Sequence, residues 1–349
     1  MFDNNLIPSS FWFIPSRYFH TIKYLKPKQV LERIRLRIKC VKPDLGVAPV
    51  IRENSGRWVY PCSRHSSMLG AHSFRFLNQQ RAIMAPEDWN ASDVSRLWLY
   101  NLHYFDDLNS TGSHERQSWH EQLVNRWIVE NPPGQGVGWE PYPVSLRIVN
   151  WIKWILSGAK VNENMIHSLA IQTRWLYENI EWHLLGNHLF SNAKALIFSG
   201  LFFDGSESSG WLETGAKIIG QELGEQILSD GGQFERSPMY HCLALEDVLD
   251  LVNASHAWPG VMYAEFVSRL NGKAVKMIEW MEVMTHPDGF VAQFNDCTLN
   301  GAPKPSELLA YANRLGIGAS VVTHESLTNL SPSGYIRVRE RILAAARKR

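Results

Sequence analysis

Six segments of this chain carry apolar residues at steps of three and four, the spacing of a helix with one buried face. In residues 145–156, Leu146, Val149 and Ile152 follow this spacing, and Ser145 is a candidate N-cap. Clusters of Gly, Pro, Asp or Asn separate the segments and indicate short loops. The other five segments are 166–185, 188–203, 211–228, 243–252 and 275–284. The pattern predicts an all-α protein built from helical hairpins.

The two ends of the chain depart from this pattern. Residues 17–41 interleave basic and apolar side chains, which predicts a basic amphipathic helix interrupted near Pro27. We expect this helix to dock on the body of the protein rather than on a membrane surface. A polar connector with little regular structure is predicted from Lys42 to about His72. Residues 335–339 alternate with a period of two, which predicts one strand whose partner the sequence does not contain.

Composition argues against several classes of protein. The 349 residues carry 35 Lys and Arg against 34 Asp and Glu, and a formal charge of +1 argues against a nucleic-acid binder with a basic face. A hydrophobic fraction of 45% allows a large core, length alone suggests about two domains, and no apolar stretch predicts a membrane span. No secretory signal is recognised, which favours the cytoplasm but leaves the periplasm open. The sequence has four cysteines, and their spacing indicates neither a disulfide scaffold nor a zinc module: Cys40, Cys62, Cys242 and Cys297.

The densest group of polar side chains occupies two loops on either side of the predicted helix 211–228. In an array of helical hairpins, loops at alternate helix ends fall on the same rim, so we expect these two loops to converge on one groove. The first loop carries Glu181, His183, Asn187, His188 and Asn192. The second loop carries Asp230, Gln233, Glu235, Arg236, Tyr240 and His241.

Three of these residues fit elimination across a uronic acid. The proton next to the carboxylate becomes acidic only when the negative charge is neutralised, which amide and imidazole donors such as Asn187 and His188 can do. A hydroxyl such as that of Tyr240 can protonate the departing oxygen, or act as base as well when both groups lie on one face. Taken alone, the same residues suit ordinary structural roles better, as a helix cap, a bonded core histidine and a buried ring.

Other chemistries have weaker support. His183 and His188 are five residues apart, which is out of line on a helix, and the absence of HExxH argues against a metal site. The absence of GxSxG argues against a serine hydrolase. Paired carboxylates for glycoside hydrolysis are conceivable, but spacing in sequence cannot place any two of Glu140, Asp230, Glu235, Asp288 and Asp296 at the required separation.

Five runs of residues carry a resemblance to a known family: LYNLHYFDDL, GWEPYPVSLRIVNWIKW, GNHLFSNAKALIFSGLFF, EQILSDGGQFERSPMYH and THPDGFVAQFND. Together they closely resemble the helical N-terminal domain of the heparinase II/III-like polysaccharide lyases, from about Arg17 to Tyr335. The resemblance implies an incomplete (α/α) toroid followed by an antiparallel β-sandwich, and cleavage of acidic polysaccharides by β-elimination. We therefore expect an N-terminal extension over 1–72, the toroid over 73–330 and the start of a truncated sandwich over 331–349.

The resemblance also implies roles for the polar residues. Asn187 and His188 resemble the carboxylate-neutralising pair of the family, and Tyr240 resembles its general acid. Glu235 and Arg236 adjoin this tyrosine and look like residues that orient or contact the substrate. Further candidates for contact with an acidic polysaccharide are Tyr104, Trp139, Arg147, His103 and His241, and ring stacking on sugars is also expected of Trp98, Tyr142, Trp182 and Trp211. For each of these, packing in the core is the alternative.

One departure from the family pattern limits the expected activity. In the family the catalytic base, a His or a Tyr, comes from the β-sandwich, which also holds a structural metal in some members. The sequence stops after the strand at 335–339, so we expect an impaired lyase without a cofactor, whose unpaired strand invites self-association or completion by a partner. Two alternatives stay open: a non-catalytic toroid that binds acidic glycans, and a glycoside hydrolase on the same architecture.

Overall fold

The computed structural model describes residues 25–39, 41–299, 301–318 and 327–338. Its helices are α1 (Pro27–Ile38), α2 (Arg96–Tyr104), α3 (Gln117–Glu130), α4 (Pro141–Leu156), α5 (Glu163–Glu178), α6 (Gly186–Phe202), α7 (Ser206–Gln226), α8 (Pro238–Ala257), α9 (Ala264–Val283) and α10 (Pro305–Arg314). Its strands are β1 (Met68–Gly70), β2 (Ser73–Phe76), β3 (Gln79–Ala82), β4 (Leu327–Leu330) and β5 (Tyr335–Val338). Each of the six predicted helical segments overlaps a helix, so the all-α prediction is confirmed.

Helix α6 lies at the centre of the protein and packs closely against α7. A Cβ atom on Gly200 would lie 2.6 Å from Cβ of Leu212, and one on Gly215 would lie 2.7 Å from the carbonyl oxygen of Ala193. Late residues of α6 therefore meet early residues of α7, and the two antiparallel helices approach so closely that only glycine fits. All side chains from 189 to 202 are buried, so α6 is enclosed on every side.

Three central helices run in the same direction. Near their first turns, the ring of Tyr142 on α4 lies 4.4 Å from that of His188 on α6. Further along, Lys153 of α4 and Lys194 of α6 both pair with Asp250 of α8. The N-termini of α4, α6 and α8 consequently share one rim, and the intervening helices return in the opposite direction, which is the arrangement of an incomplete toroid.

A small sheet stands where the sequence predicts the end of an irregular connector. Strands β1, β2 and β3 pair antiparallel in that order, so the sheet crosses the boundary predicted at residue 72. The buried carboxylate of Asp107 accepts from the backbone N–H groups of Ser67 at 2.6 Å and Met68 at 2.9 Å, and pairs with Arg116 and His120. Because this anchor lies about forty residues further along the chain, the local pattern gives no sign of it.

The strand near the C-terminus has a partner within the chain. The sequence predicts a single leftover strand, but β5 pairs antiparallel with β4, from Leu327 opposite Val338 to Leu330 opposite Tyr335. The prediction of an unpaired strand is therefore wrong. The reason is that LTNL is too short and too polar to show an alternating pattern.

The N-terminal helix α1 begins at Pro27 rather than being interrupted there, because proline suits the first turn of a helix. The part of the predicted helix over 17–24 lies outside the described residues, as does Cys40. Helix α1 docks on the body as expected, since the ammonium of Lys28 lies 3.1 Å from the ring centroid of Trp182. None of the described helices is long and apolar enough to cross a membrane.

Candidate functional site

The rim formed by the first turns of α4, α6 and α8 brings the two predicted polar loops together. Asn187 and His188 lie in the first turn of α6, and Tyr240 lies in the first turn of α8. The end of α7 reaches the same rim, where the side-chain amide of Gln226 donates to the carbonyl oxygen of Gly186 at 3.1 Å. The three predicted catalytic residues are half-buried, so each side chain has contact with solvent as well as support from the protein.

The backbone bends sharply where α6 begins. Leu185 has φ +63° and ψ −161°, a backbone region that residues other than glycine rarely adopt, and Gly186 has φ +57°. Such strain persists only when the surroundings hold it, here through the Gln226 hydrogen bond and the buried helix that follows. Strained backbone concentrates at functional sites, which supports the placement of the site at Asn187 and His188.

Glu181 fixes the orientation of the His188 ring. Its Oε1 lies 3.1 Å from Nδ1 of His188, and its Oε2 accepts from Nδ2 of Asn192 at 3.1 Å. Oδ1 of Asn192 in turn accepts from the backbone N–H of Glu181 at 2.8 Å, and Nδ2 also donates to Oγ of Ser145 at 2.9 Å. Because an ionised carboxylate only accepts, Nδ1 of the histidine carries the hydrogen, and Nε2 is left for a ligand.

Ser145 contributes from inside α4 and not as its cap. The helix begins four residues earlier at Pro141, with Glu140 in the N-cap position. The hydroxyl of Ser145 donates to the carbonyl oxygen of Pro141 at 2.8 Å and accepts from Asn192. The predicted cap was therefore wrong, because proline in a first turn extends the helix without leaving an unpaired N–H group.

The ring of Tyr142 covers one face of His188. The two ring centroids are 4.4 Å apart with an interplanar angle of 33°, and Tyr142 meets Tyr104 edge to face at 5.9 Å. Burial and the nearby carboxylate of Asp247 raise the pKa of Tyr142, so its hydroxyl stays protonated at neutral pH. The contact leaves the imidazole held between Glu181 and a tyrosine ring.

Tyr240 has the environment of a proton donor. Burial raises its pKa, and the carboxylates of Asp296 and Glu235 raise it further, because negative neighbours disfavour the phenolate. Glu235 and Arg236 are exposed beside it, as a contact with substrate requires. Arg236 also has a positive φ of +59°, so this loop is strained next to the candidate acid.

The C-terminal hairpin supports this strained loop. The carbonyl oxygen of Arg236 accepts from the hydroxyl of Tyr335 and from Nδ2 of Asn295, both at 2.7 Å. At the other end of the loop, the carboxylate of Asp230 accepts from the N–H of Ser333 at 2.9 Å and from its hydroxyl at 2.6 Å. The hairpin is thus part of the support of the candidate site.

Arg147 and His103 lie in the core and not at a surface where a substrate binds. The guanidinium of Arg147 stacks 3.8 Å from the ring centroid of Trp127 and donates to Gln172 at 2.8 Å and to the carbonyl oxygen of His103 at 3.2 Å. Burial lowers the pKa of Arg147 well below its usual range. Both residues are fully buried, so the predicted contact of Arg147 with the substrate is not supported.

Trp139 and His241 are also core residues in this structure. The indole N–H of Trp139 donates to the carbonyl oxygen of Asn131 at 3.2 Å. The His241 ring stacks on Trp280 at 4.4 Å, and its Nε2 lies 2.9 Å from the carbonyl oxygen of Met277. Neither residue is accessible to a polysaccharide, and the same holds for three other predicted sugar-contacting rings: Trp98, Tyr104 and Trp211.

The sequence places Glu181 and Asn192 in a polar loop but indicates no role for either residue. The available signal was the four-residue spacing of His188 and Asn192, which puts both on one face of α6. The contact with Glu181 depends on the strained turn at Leu185, which no local pattern specifies. In the ranges that the structure covers, no group of three or more His, Cys, Asp or Glu residues is arranged to hold a metal ion.

Comparisons with known proteins relate this chain to one family. The family described as Heparinase II/III N-terminus matches residues 23–310. A heparin-sulfate lyase of Bacteroides stercoris is 31% identical over 129 residues, which cover 37% of this chain and 19% of that protein. A heparin-sulfate lyase of Bacteroides thetaiotaomicron is 27% identical over 199 residues, covering 52% of this chain and 28% of that protein.

A crystal structure of heparinase III is similar in fold, with a TM-score of 0.51 at 20% sequence identity. The match covers 69% of this chain and 40% of that one. The chain therefore matches less than a third of the length of these two curated relatives, and less than half of the solved structure.

Proposed function

This chain belongs to the heparinase II/III N-terminus family, and we propose that its rim acts in a polysaccharide lyase that cleaves uronic-acid-containing chains by β-elimination. The observation that carries the proposal is the amide, imidazole and phenol on one rim, contributed by Asn187, His188 and Tyr240. Two of its curated relatives are named heparin-sulfate lyases, which supports a polyanionic glycan as the substrate class.

In the proposed reaction, Asn187 and His188 bind the carboxylate of the uronic acid. In the form that carries a hydrogen on both ring nitrogens, His188 donates Nδ1–H to Glu181 and Nε2–H to the uronic-acid carboxylate, and the amide of Asn187 offers a second donor. Both interactions strengthen as negative charge moves onto the carboxylate in the transition state. The fixed Glu181 contact means that little reorientation of the imidazole accompanies this change.

Tyr240 completes the elimination at the glycosidic bond. A base takes the proton from the carbon next to the carboxylate, the electron pair of that C–H bond forms the new C=C bond, and the C–O bond to the neighbouring sugar breaks. The hydroxyl of Tyr240 gives its proton to the departing oxygen, which its raised pKa permits at neutral pH. Tyr240 serves as base too only when proton and leaving oxygen lie on one face of the sugar.

The test is an assay on a panel of uronic-acid polymers with the ultraviolet absorbance of the unsaturated product as the readout. Asn187→Ala and Tyr240→Phe should each reduce the rate by about 100-fold or more, because each removes a group that acts in the transition state. Arg81→Ala, which removes an exposed ion pair with Asp93, serves as the control and should be unaffected.

The outcomes separate the three candidate functions. Unchanged activity in both Asn187→Ala and Tyr240→Phe would contradict the assignment of the site. New reducing ends without ultraviolet absorbance would indicate a hydrolase. Affinity for the polymers with neither product would indicate a glycan-binding protein.

A further inference from the structure

A row of rings leads away from His188 along the rim. The centroids are 4.4 Å apart between His188 and Tyr142, 5.9 Å between Tyr142 and Tyr104, and 6.2 Å between Tyr104 and Tyr100. Tyr104 is buried in the middle of the row, whereas Tyr142 and Tyr100 are half-buried. The row therefore connects the candidate reaction centre with a second partly open ring at Tyr100.

Charged groups surround this second ring. The hydroxyl of Tyr100 donates to Oε2 of Glu140, and the same oxygen pairs with Nη2 of Arg96. The guanidinium carbon of Arg96 lies 5.7 Å from the centroid of the Tyr100 ring. Glu140 is the N-cap of α4, two residues before Tyr142, so the group belongs to the same rim as His188.

Arg96 is placed to bind a further anion. Its side chain is 68% exposed, and Nη1 carries no hydrogen bond to any residue in the described ranges. A guanidinium presents five N–H donors in a fixed plane, so pairing with one carboxylate leaves donors for another acid group. The bonds to Glu140 and Tyr100 raise the pKa of Arg96 and restrict its side chain, which reduces the entropy lost on binding.

We propose that Arg96, Tyr100 and Glu140 form a second sugar-binding subsite, which takes a negatively charged sugar of the same chain that binds at Asn187 and His188. Arg96 donates to the acid group, the Tyr100 ring packs against the sugar, and Glu140 accepts from a sugar hydroxyl. The inference rests on the proposed function, because it requires an acidic glycan on the rim.

The test measures binding separately from cleavage. Uronic-acid oligosaccharides of increasing length, with and without sulfate, are titrated calorimetrically into Asn187→Ala protein, which retains Arg96. Adding Arg96→Ala should weaken the binding of long oligosaccharides about tenfold and leave the shortest ones unchanged. Tyr100→Ala should have a similar effect, and Tyr100→Phe, which keeps the ring, a smaller one. Arg81→Ala is the matched control, because it removes an exposed ion pair with Asp93 that is not part of the row of rings.

Each result decides a stated point. Long oligosaccharides that bind equally with and without Arg96, or a loss that is the same at every length, would overturn the subsite. A larger loss with sulfated chains identifies sulfate as the group that Arg96 binds, and a loss that does not depend on sulfate identifies the carboxylate. Thermal unfolding checks that each variant is folded, and Arg96→Gln replaces Arg96→Ala if the latter is not.

The subsite and the lyase proposal can fail independently. Binding that depends on Arg96, in a protein whose unsubstituted form never makes an unsaturated product, supports the subsite and contradicts the lyase. Cleavage at full rate by the unsubstituted protein, together with oligosaccharide binding that does not depend on Arg96, supports the lyase and contradicts the subsite. A chain that binds no acidic oligosaccharide contradicts both.

Discussion

At the residue level, Glu181 uses both carboxylate oxygens on side chains of α6. One oxygen holds Nδ1 of His188 and the other accepts from Asn192, whose amide is itself fixed by Ser145 and the backbone N–H of Glu181. A carboxylate that holds a functional histidine in this way sets both its tautomer and its direction. We therefore regard Glu181 as a positioning residue, which acts through the imidazole.

Glu181→Gln should lower kcat about 10- to 100-fold, as is usual when an orienting partner of a functional histidine is lost. The glutamine amide cannot accept at both positions, so one of the two α6 side chains loses its acceptor. When the glutamine NH₂ group faces the ring, the neutral histidine becomes the Nε2–H tautomer. The ¹⁵N NMR spectrum of the His188 ring reports this change.

The control for this variant lies three residues earlier in the same stretch. Glu178→Gln removes an exposed ion pair with Lys39 and should leave kcat and the spectrum of His188 unchanged. A Glu181→Gln protein with normal kcat would contradict the positioning role.

At the level of elements, the β4–β5 hairpin contributes contacts to both the core and the candidate site, which a single leftover strand would not. Ser333 in its turn accepts from the indole N–H of Trp280 at 2.9 Å and bonds to Asp230, at the start of the loop that leads to Arg236. Trp280 is buried, so water cannot replace this partner. The hairpin thereby connects α9 to the Tyr240 side of the rim.

Ser333→Ala should destabilise the protein by about 1–3 kcal/mol, the cost of leaving a buried donor unpaired. It should also raise KM, because the Asp230 end of the site loop loses one of its two bonds from the hairpin. Urea unfolding and steady-state kinetics measure the two effects. Ser331→Ala in the same turn removes only an exposed contact with Asn329 and is the control. Equal stability of the two variants would show that the Trp280 contact is dispensable.

Elements differ in how far the sequence predicts them. The central helices are predictable because their apolar spacing reflects the face that each buries, as in 145–156. The β1–β3 sheet and the β4–β5 pair are not, because Asp107 and Trp280 hold them from distant parts of the chain. Likewise, position beside polar loops suggested that Trp139 contacts sugar, but burial depends on the packed helices around it.

At the level of the whole molecule, a buried group of charges joins the central helices to α10. The carboxylate of Asp250 accepts from Lys153 at 2.9 Å, from Lys194 at 2.6 Å and from the hydroxyl of Tyr311 at 3.0 Å. These contacts link α4, α6, α8 and α10 at one point in the interior. Burial alone would raise the pKa of Asp250, but the two ammonium groups lower it below its usual value.

Asp250→Asn should lower the free energy of unfolding by about 3–5 kcal/mol, because two buried cations lose their shared countercharge. Since the folded-state pKa is depressed, this contribution is present above the unfolded pKa of about 3.9 and declines as the pH falls through the folded value. The difference between wild type and variant in urea unfolding should therefore shrink in acid. Asp204→Asn, at an exposed pair with Arg52, should cost less than about 1 kcal/mol. Similar losses in both variants would contradict the role of the buried charges.

The placement of the candidate site on one rim is a prediction that the order of helices allows, whereas the exposure of its side chains is not predictable from the sequence. Alternation of helix ends places the loops of His188 and Tyr240 on one rim, and this follows from the order of helices alone. The tertiary contacts that decide which side chains face solvent do not follow from that order. Arg147 shows this most clearly, since a cation expected to meet an acidic substrate instead stacks on Trp127 inside the core.

The common direction of α4, α6 and α8 has an electrostatic consequence. Peptide dipoles add along a helix, so each N-terminus carries roughly half a positive charge and presents N–H groups without partners in the helix. These helices contain 16, 17 and 20 residues, and all three positive ends meet at the rim. In a protein with a formal charge of only +1, the backbone thus supplies partial positive charge at the rim that no single substitution of Lys or Arg would remove.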